Sequence, residues 1–324
     1  MIYPQTAQVD AADEYFGQRV ADPYRWLESD IRRDPAVSAW VDAQNSLSGP
    51  YLAGLPGRDV FRERLAALFD HERLTTPEKR GKRYFFTRNG GLDKQAVLFV
   101  RKGVNGLDRV VINPNEWSRD GATALAEWAP SENGSYLAYA TQEGGTDWRR
   151  IRVLEVDSGV ILEDEIKWAR FTSIAWAKDG SGFFYSRNPE PDKDSEFVAP
   201  VLGHAVYFHR LGTKQSEDRL VYAREADFPL IHTADVTADG RYAVIYSTAL
   251  TGGNGLAIVD LSHPERPVRT LIDTFDDAWL LVGSIGTTLF LSTQEGAERG
   301  RIVTTDLAEP EAMFIELIAE RRDR

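Results

Sequence analysis

The chain runs to 324 residues, more than one ordinary core holds, so two domains or one large repeat array are expected. Its 42% hydrophobic and 11% aromatic content excludes a disordered polypeptide, and a net charge of −12 argues against a phosphate-backbone partner. The absence of cysteine removes disulfides, thiolate chemistry and cysteine zinc sites together. No run approaches the roughly 18 apolar residues that a membrane helix needs, and the first ten residues carry no signal-peptide pattern. The expectation is a soluble protein with no nucleic-acid or membrane partner. It is expected in the cytoplasm, or in the periplasm if an export signal has been removed.

Residues 1–70 read as a helical N-terminal extension. Val37, Trp40, Val41, Gln44 and Leu47 follow helical spacing, and Val60, Phe61, Leu65, Leu68 and Phe69 do so again. Pro50 and the pair Pro56-Gly57 are read as the break between these two helices. From residue 71 the pattern turns strand-like and stays so to residue 324, with short β-rich runs between Gly, Pro, Asp and Asn clusters.

One phrase recurs through this second region: an apolar stretch, a polar turn ending in glycine, then an aromatic-rich run. Its turn glycines are Gly81, Gly134, Gly180, Gly240 and, more weakly, Gly286, separated by 53, 46, 60 and 46 residues. A period near 50 with several strands per period predicts a β-propeller, whereas a sandwich predicts no such repeat. In the third repeat the strands read Thr172–Trp176, Gly182–Ser186, Ala205–Arg210 and Asp218–Tyr222, which is one four-stranded blade. The polar loop from Arg187 to Pro200 explains the longest gap. The fifth repeat reads Thr287–Ser292, Arg301–Thr305 and Met313–Ile318. The fold class expected is all-β, a propeller of five four-stranded blades behind a short helical segment.

The stretch Asp22-Pro23-Tyr24-Arg25-Trp26-Leu27-Glu28, followed by Trp40-Val-Asp-Ala-Gln-Asn45, resembles the N-terminal signature of prolyl oligopeptidases. Gly145-Thr-Asp-Trp148 and Leu211-Gly-Thr-Lys-Gln-Ser-Glu-Asp218 sit at the spacing of that family's propeller, and the resemblance extends from Tyr3 to Arg324. It implies a serine endopeptidase that cleaves short peptides after proline. In that family a seven-bladed propeller caps an α/β-hydrolase domain and filters out large substrates. The implied partners are short proline-containing peptides and the hydrolase domain of the same enzyme. By position Phe171 matches the family's propeller phenylalanine, which lines a substrate side-chain pocket, and Ile231 falls at another apolar pocket position. Thr248 and Thr251 stand where some members carry arginine and cysteine.

The departure from the family is that the 324 residues hold no Gly-x-Ser-x-Gly elbow. Ser181 has glycines beside it rather than two positions away, and it falls in a predicted hairpin turn. This chain alone is therefore expected to be inactive, as the gating part of a larger enzyme. The alternative is a stand-alone five-bladed binding module, its ring closed by a strand exchanged between first and last blades. Glu127, Asp235, Asp276 and Asp277 are the carboxylates that a glycosidase reading would use, but acids beside turns are ordinary propeller punctuation. His71, His204, His209, His232 and His263 show no metal-ligand spacing and read as solvated or hydrogen-bonded, so no metal or cofactor is expected. Asp147 is read as an acceptor of backbone N–H groups, with Trp148 packing beside it.

Overall fold

The computed structural model describes residues 2–192, 196, 201–226, 228–249 and 252–321. Contacts divide the chain into two units, residues 1–71 with 192–199, and residues 72–191 with 200–324.

The first unit opens with a hairpin the periodicity did not reveal, β1 (Ala12–Tyr15) against β2 (Gln18–Ala21). Its strands are polar and exposed, so no apolar alternation marks them. Arg25 pairs with Asp22 at 2.9 Å and with Asp13, and Trp26 Nε1 donates to the Ala7 carbonyl at 2.9 Å. The stretch 22–28 is thus a structural clasp. Helix α1 (Pro35–Ala53) starts where the Asp34 carboxylate accepts from the Ala36 amide at 2.8 Å and from Val37, with Pro35 in the first turn. Contrary to expectation, Pro50 lies inside α1. It forfeits one amide, and the last turn still closes from the Gly54 amide to the Pro50 carbonyl at 3.0 Å. The break falls after Gly54, and α2 (Arg58–Phe69) follows left-handed Gly57.

Five antiparallel sheets make up the second unit, in chain order. The first contains β3 (Arg73–Leu74), β4 (Glu78–Arg80), β5 (Arg83–Asn89), β6 (Val97–Lys102) and β7 (Asp108–Ile112). Its leading strand is split in two, with Pro77, which has no ladder amide, between the halves. The second holds β8 (Thr123–Pro130), β9 (Tyr136–Glu143), β10 (Arg149–Glu155) and β11 (Ile161–Ala169). The third holds β12 (Ala175–Trp176), β13 (Gly182–Arg187), β14 (Ala205–Arg210) and β15 (Arg219–Ala223), tied to the second by a lone pairing of Ala169 with Arg187. The fourth holds β16 (Leu230–Val236), β17 (Tyr242–Ala249), β18 (Asn254–Asp260) and β19 (Arg269–Ile272). The fifth holds β20 (Trp279–Ile285), β21 (Thr288–Thr293), β22 (Arg301–Asp306) and β23 (Ile315–Ile318). Each sheet matches one predicted repeat, and β20 is the strand that the fifth phrase left unassigned.

All five repeat glycines sit in the turn before the second strand of their sheet with positive φ, from 55° to 75°. Gly81 and Gly134 have a second reason to be glycine. A Cβ on Gly81 would stand 2.6 Å from the Asn133 carbonyl oxygen, and one on Gly134 would stand 2.9 Å from that of Arg80. Successive turns thus stack backbone on backbone. Gly134→Ala is expected to cost about 1–3 kcal/mol, combining left-handed strain with this collision. A chemical-denaturation midpoint unchanged from wild type would show that the turns part freely.

The core lies between the sheets. Four apolar clusters fill the four junctions between neighbouring sheets. Strand alternation serves two junctions at once: Leu137 and Tyr139 face the first sheet, while Ala138 and Ala140 face the third. In β17, Ala243 and Ile245 face the third sheet, while Tyr242 and Val244 face the fifth. Among the described residues no such cluster joins the fifth sheet to the first, and each sheet is built from consecutive strands, with none exchanged. The two outer faces differ. On the first sheet, Arg88 lies 4.0 Å over the Phe99 ring and Arg101 5.3 Å over Phe86, both held by Asp108. On the fifth, Leu280, Val282 and Ile315 remain 59%, 59% and 64% exposed.

Candidate functional site

Phe171 lies in the connection from β11 to β12, half-buried, with φ of +49°. Trp168, three residues earlier, has φ of +61°. Left-handed backbone in bulky residues costs on the order of 1–2 kcal/mol each and persists only where neighbours enforce it. Those neighbours are visible. Arg170 places its guanidinium 5.1 Å over the Trp148 ring and 5.0 Å over the Phe171 ring, and it pairs with Asp147 at 3.2 Å. Trp148 in turn meets Trp168 edge-on, with centroids 5.6 Å apart. Thr172, buried just beyond, accepts from the Ser186 amide at 2.7 Å, and its carbonyl accepts from Arg149 at 3.1 Å. Among the described residues the Asp147 carboxylate accepts from the Arg170 guanidinium rather than from a backbone amide.

Ile231 lies on β16, opposite Thr248 of β17, with its side chain half-buried. Thr251 lies outside the described residues. Phe171, in a connection, and Ile231, on a strand of the fourth sheet, are 60 residues apart, yet their chain neighbours share one imidazole. His204 Nε2 donates to the Arg170 carbonyl at 2.8 Å, and its Nδ1 accepts from the His232 amide at 3.0 Å. That pair of bonds requires a neutral ring with its proton on Nε2. Burial supplies the neutrality by lowering the His204 pKa below 6.5. The His232 pKa is also lowered, to about 4, by burial and then by His204 and Arg224. Its Nδ1 contacts Ser247 Oγ at 2.8 Å, while its buried Nε2 has no hydrogen-bond partner among the described residues. A cleft of about 530 Å³ opens beside this bridge, lined by Leu202, His204, Arg224, Phe228 and Leu230 among others.

Sequence reasoning named Phe171 and Ile231 and read His204 as solvated or hydrogen-bonded, but it gave no sign that His204 and Arg170 support the two. Neither falls in a motif, and the hydrogen bonds that define them span 34 and 28 residues. A third buried histidine is hydrogen-bonded on both ring nitrogens. His209 of β14 lies between two carboxylates, Asp218 at 2.7 Å on Nδ1 and Asp164 at 3.0 Å on Nε2. Tyr185 donates its hydroxyl to the other Asp218 oxygen at 2.6 Å. Burial opposes protonation, but the bonds and charges of Asp218 and Asp164 outweigh it and raise the imidazole pKa above 6.5. Of the carboxylates a glycosidase would use, Glu127 is committed to structure. It accepts from the Ile174 amide at 2.9 Å and pairs with Arg149 at 3.1 Å. Burial raises its pKa, with those two partners pulling the other way.

Comparison with known proteins agrees with this architecture. The family described as the prolyl oligopeptidase N-terminal β-propeller domain matches residues 4–324. The chain is 37% identical over 320 residues to a prolyl endopeptidase of Elizabethkingia meningoseptica, covering 98% of this chain and 44% of that protein. It is 29% identical over 363 residues to prolyl oligopeptidase A of Amanita bisporigera, covering 98% of this chain and 46% of that one. Among solved structures, a prolyl endopeptidase at 37% identity superposes with a TM-score of 0.72 over 99% of this chain and 46% of the other. Prolyl oligopeptidase B from Galerina marginata, bound to a 35mer hydrolysis and macrocyclization substrate, gives 0.80 at 26% identity, covering 99% of this chain and 48% of that one. The chain spans less than half the length of these relatives. With five repeated blades, the N-terminal clasp and a family match from residue 4 to residue 324, the chain belongs to the prolyl oligopeptidase family, as its N-terminal propeller part.

Proposed function

We infer that this propeller gates and filters substrate for a prolyl-oligopeptidase-like serine endopeptidase that cleaves short peptides after proline. A hydrolase domain outside these 324 residues would supply the nucleophile. Phe171, with Ile231, would present an apolar wall to a substrate side chain. The observation that carries this reading is the Phe171 loop. A phenylalanine is held left-handed and half-exposed by Arg170, Trp148 and Asp147, at the family's pocket position. Strain maintained by that many partners is characteristic of a positioned binding element. Among the described residues each sheet is built from consecutive strands and the four apolar clusters join only sequential sheets, which favours this reading over the stand-alone binding ring.

The test is a chimera in which residues 1–324 replace the matching part of the Elizabethkingia meningoseptica prolyl endopeptidase. It is expected to release a chromophore from a short peptide anilide with proline before the scissile bond, and to leave a folded protein intact. Phe171→Ala in that chimera is expected to lower kcat/KM about tenfold or more, mainly through KM, since burying a phenylalanine face contributes about 1.5–3 kcal/mol. A folded but inactive chimera sinks the peptidase reading. Unchanged kinetics of the variant would return Phe171 to plain packing.

A further inference from the structure

A second cleft, of about 590 Å³, lies between the fourth and fifth sheets and carries a chemistry that the peptidase reading does not use. It sits at the end of β17 opposite Thr248, roughly 20 Å along the strand at 3.3 Å per residue. Three arginines line it, Arg241, Arg266 and Arg269, against the single carboxylate of Asp260. That carboxylate is already engaged. One oxygen accepts from the Ser262 amide at 3.0 Å, and the other meets Arg266 and His263, each at 3.3 Å. Arg269 donates through Nη1 to the Leu307 carbonyl at 2.9 Å, but its buried Nη2 has no hydrogen-bond partner among the described residues. Arg241 stacks 4.9 Å over the Tyr242 ring and forms no ion pair among the described residues. Ile258, Val268 and Leu307 supply the apolar walls.

A chain with a net charge of −12 has carboxylates to spare, yet two guanidinium groups in this concavity lack one among the described residues. A buried guanidinium N–H without an acceptor is costly, and a carboxylate is the acceptor whose two oxygens match the guanidinium fork. The apolar walls select against a bare inorganic anion. We propose that this cleft binds a carboxylate joined to a small apolar body. Arg269 and Arg241 hold the carboxylate, and Ile258, Val268 and Leu307 hold the body. The C-terminus of a short apolar peptide and a free aliphatic acid both have this chemistry. The proposal stands apart from the peptidase reading, and its test uses no peptide cleavage.

Calorimetric titration of the 324-residue chain with N-acetyl-leucyl-alanine is expected to give a Kd on the order of 1 mM or tighter. The same peptide amidated at its C-terminus is expected to bind at least about tenfold more weakly. Hexanoate distinguishes the sources: binding equal to the peptide points to aliphatic acids, weaker binding to peptide ends, and both support the site. Arg269→Gln and Arg241→Gln are each expected to weaken binding about tenfold. Melting temperatures establish that the variants fold, and Arg241→Gln, which removes no hydrogen bond to the Leu307 carbonyl, guards against a misfolded Arg269 variant. Equal affinity of acid and amide overturns the proposal. So does inorganic phosphate binding as tightly as the peptide acid, or folded variants of both arginines binding as wild type does.

Discussion

Asp218→Ala is expected to lower the unfolding free energy by about 3–5 kcal/mol, the usual consequence of removing one partner from a buried ion pair. Asp218 accepts both from His209 and from Tyr185, and neither side chain has water to turn to. Removing it leaves the Tyr185 hydroxyl without this acceptor and His209 with Asp164 alone. Because Asp164 comes from β11 and His209 from β14, the second and third sheets share the damage. The pH dependence carries a definite sign. The folded-state pKa of His209 is raised, so its contribution is complete below the ordinary value of 6.5 and is lost as pH climbs through the folded value. Denaturant titrations of wild type at rising pH should show stability falling across that window, by about 1.4 kcal/mol for each unit the pKa is raised. In His209→Leu this slope should vanish. A wild-type stability flat from pH 6 to 9, or a loss below 1 kcal/mol in Asp218→Ala, would falsify the imidazolium assignment.

The second large effect concerns association. The outer face of the fifth sheet presents Leu280, Val282 and Ile315, each more than half exposed, with Ile318 at 54% beside them. A contiguous apolar sheet face of this kind is a site of self-association when nothing covers it. Sedimentation of the 324-residue chain is expected to show concentration-dependent oligomers at micromolar concentrations. The pair Leu280→Lys and Ile315→Lys should leave it monomeric, and charges on the arginine-capped outer face of the first sheet should do much less. A monodisperse wild-type monomer at high protein concentration excludes this.

Much of the fold was legible because its signals are local. A left-handed glycine, an acid or asparagine before it and an aromatic strand after it announce a hairpin whatever the chain does elsewhere. Gly134, Gly180 and Gly240 carry that signal in full, after Asn133, Asp179 and Asp239, while Gly81 and Gly286, after Arg80 and Ile285, were placed by the repeat around them. The exposed hairpin at residues 12–21 escaped because Glu14, Gln18 and Arg19 leave no apolar face to count. Pro50 misled because a proline near a helix end forfeits little. The candidate site was legible only through resemblance. Phe171 and Ile231 are ordinary residues by pattern, and what distinguishes them is held by His204 and Arg170 through bonds between distant segments. Charge is similar: nothing in sequence separates His209, clamped by two carboxylates, from His263 on a turn.

The division of each middle strand between two junctions also sets how damage spreads. A substitution at Ala138 loosens the contact with the third sheet, while one at Leu137, a single residue away, loosens the contact with the first. Adjacent letters of the sequence therefore report to different neighbours. Because every sheet touches only those beside it, a weakened junction leaves the others intact. A one-residue deletion within β9 or β17 is far worse than any substitution, since it exchanges the two faces and spoils both junctions together. The extra length of the third repeat accordingly lies in a connection, the long run between β13 and β14.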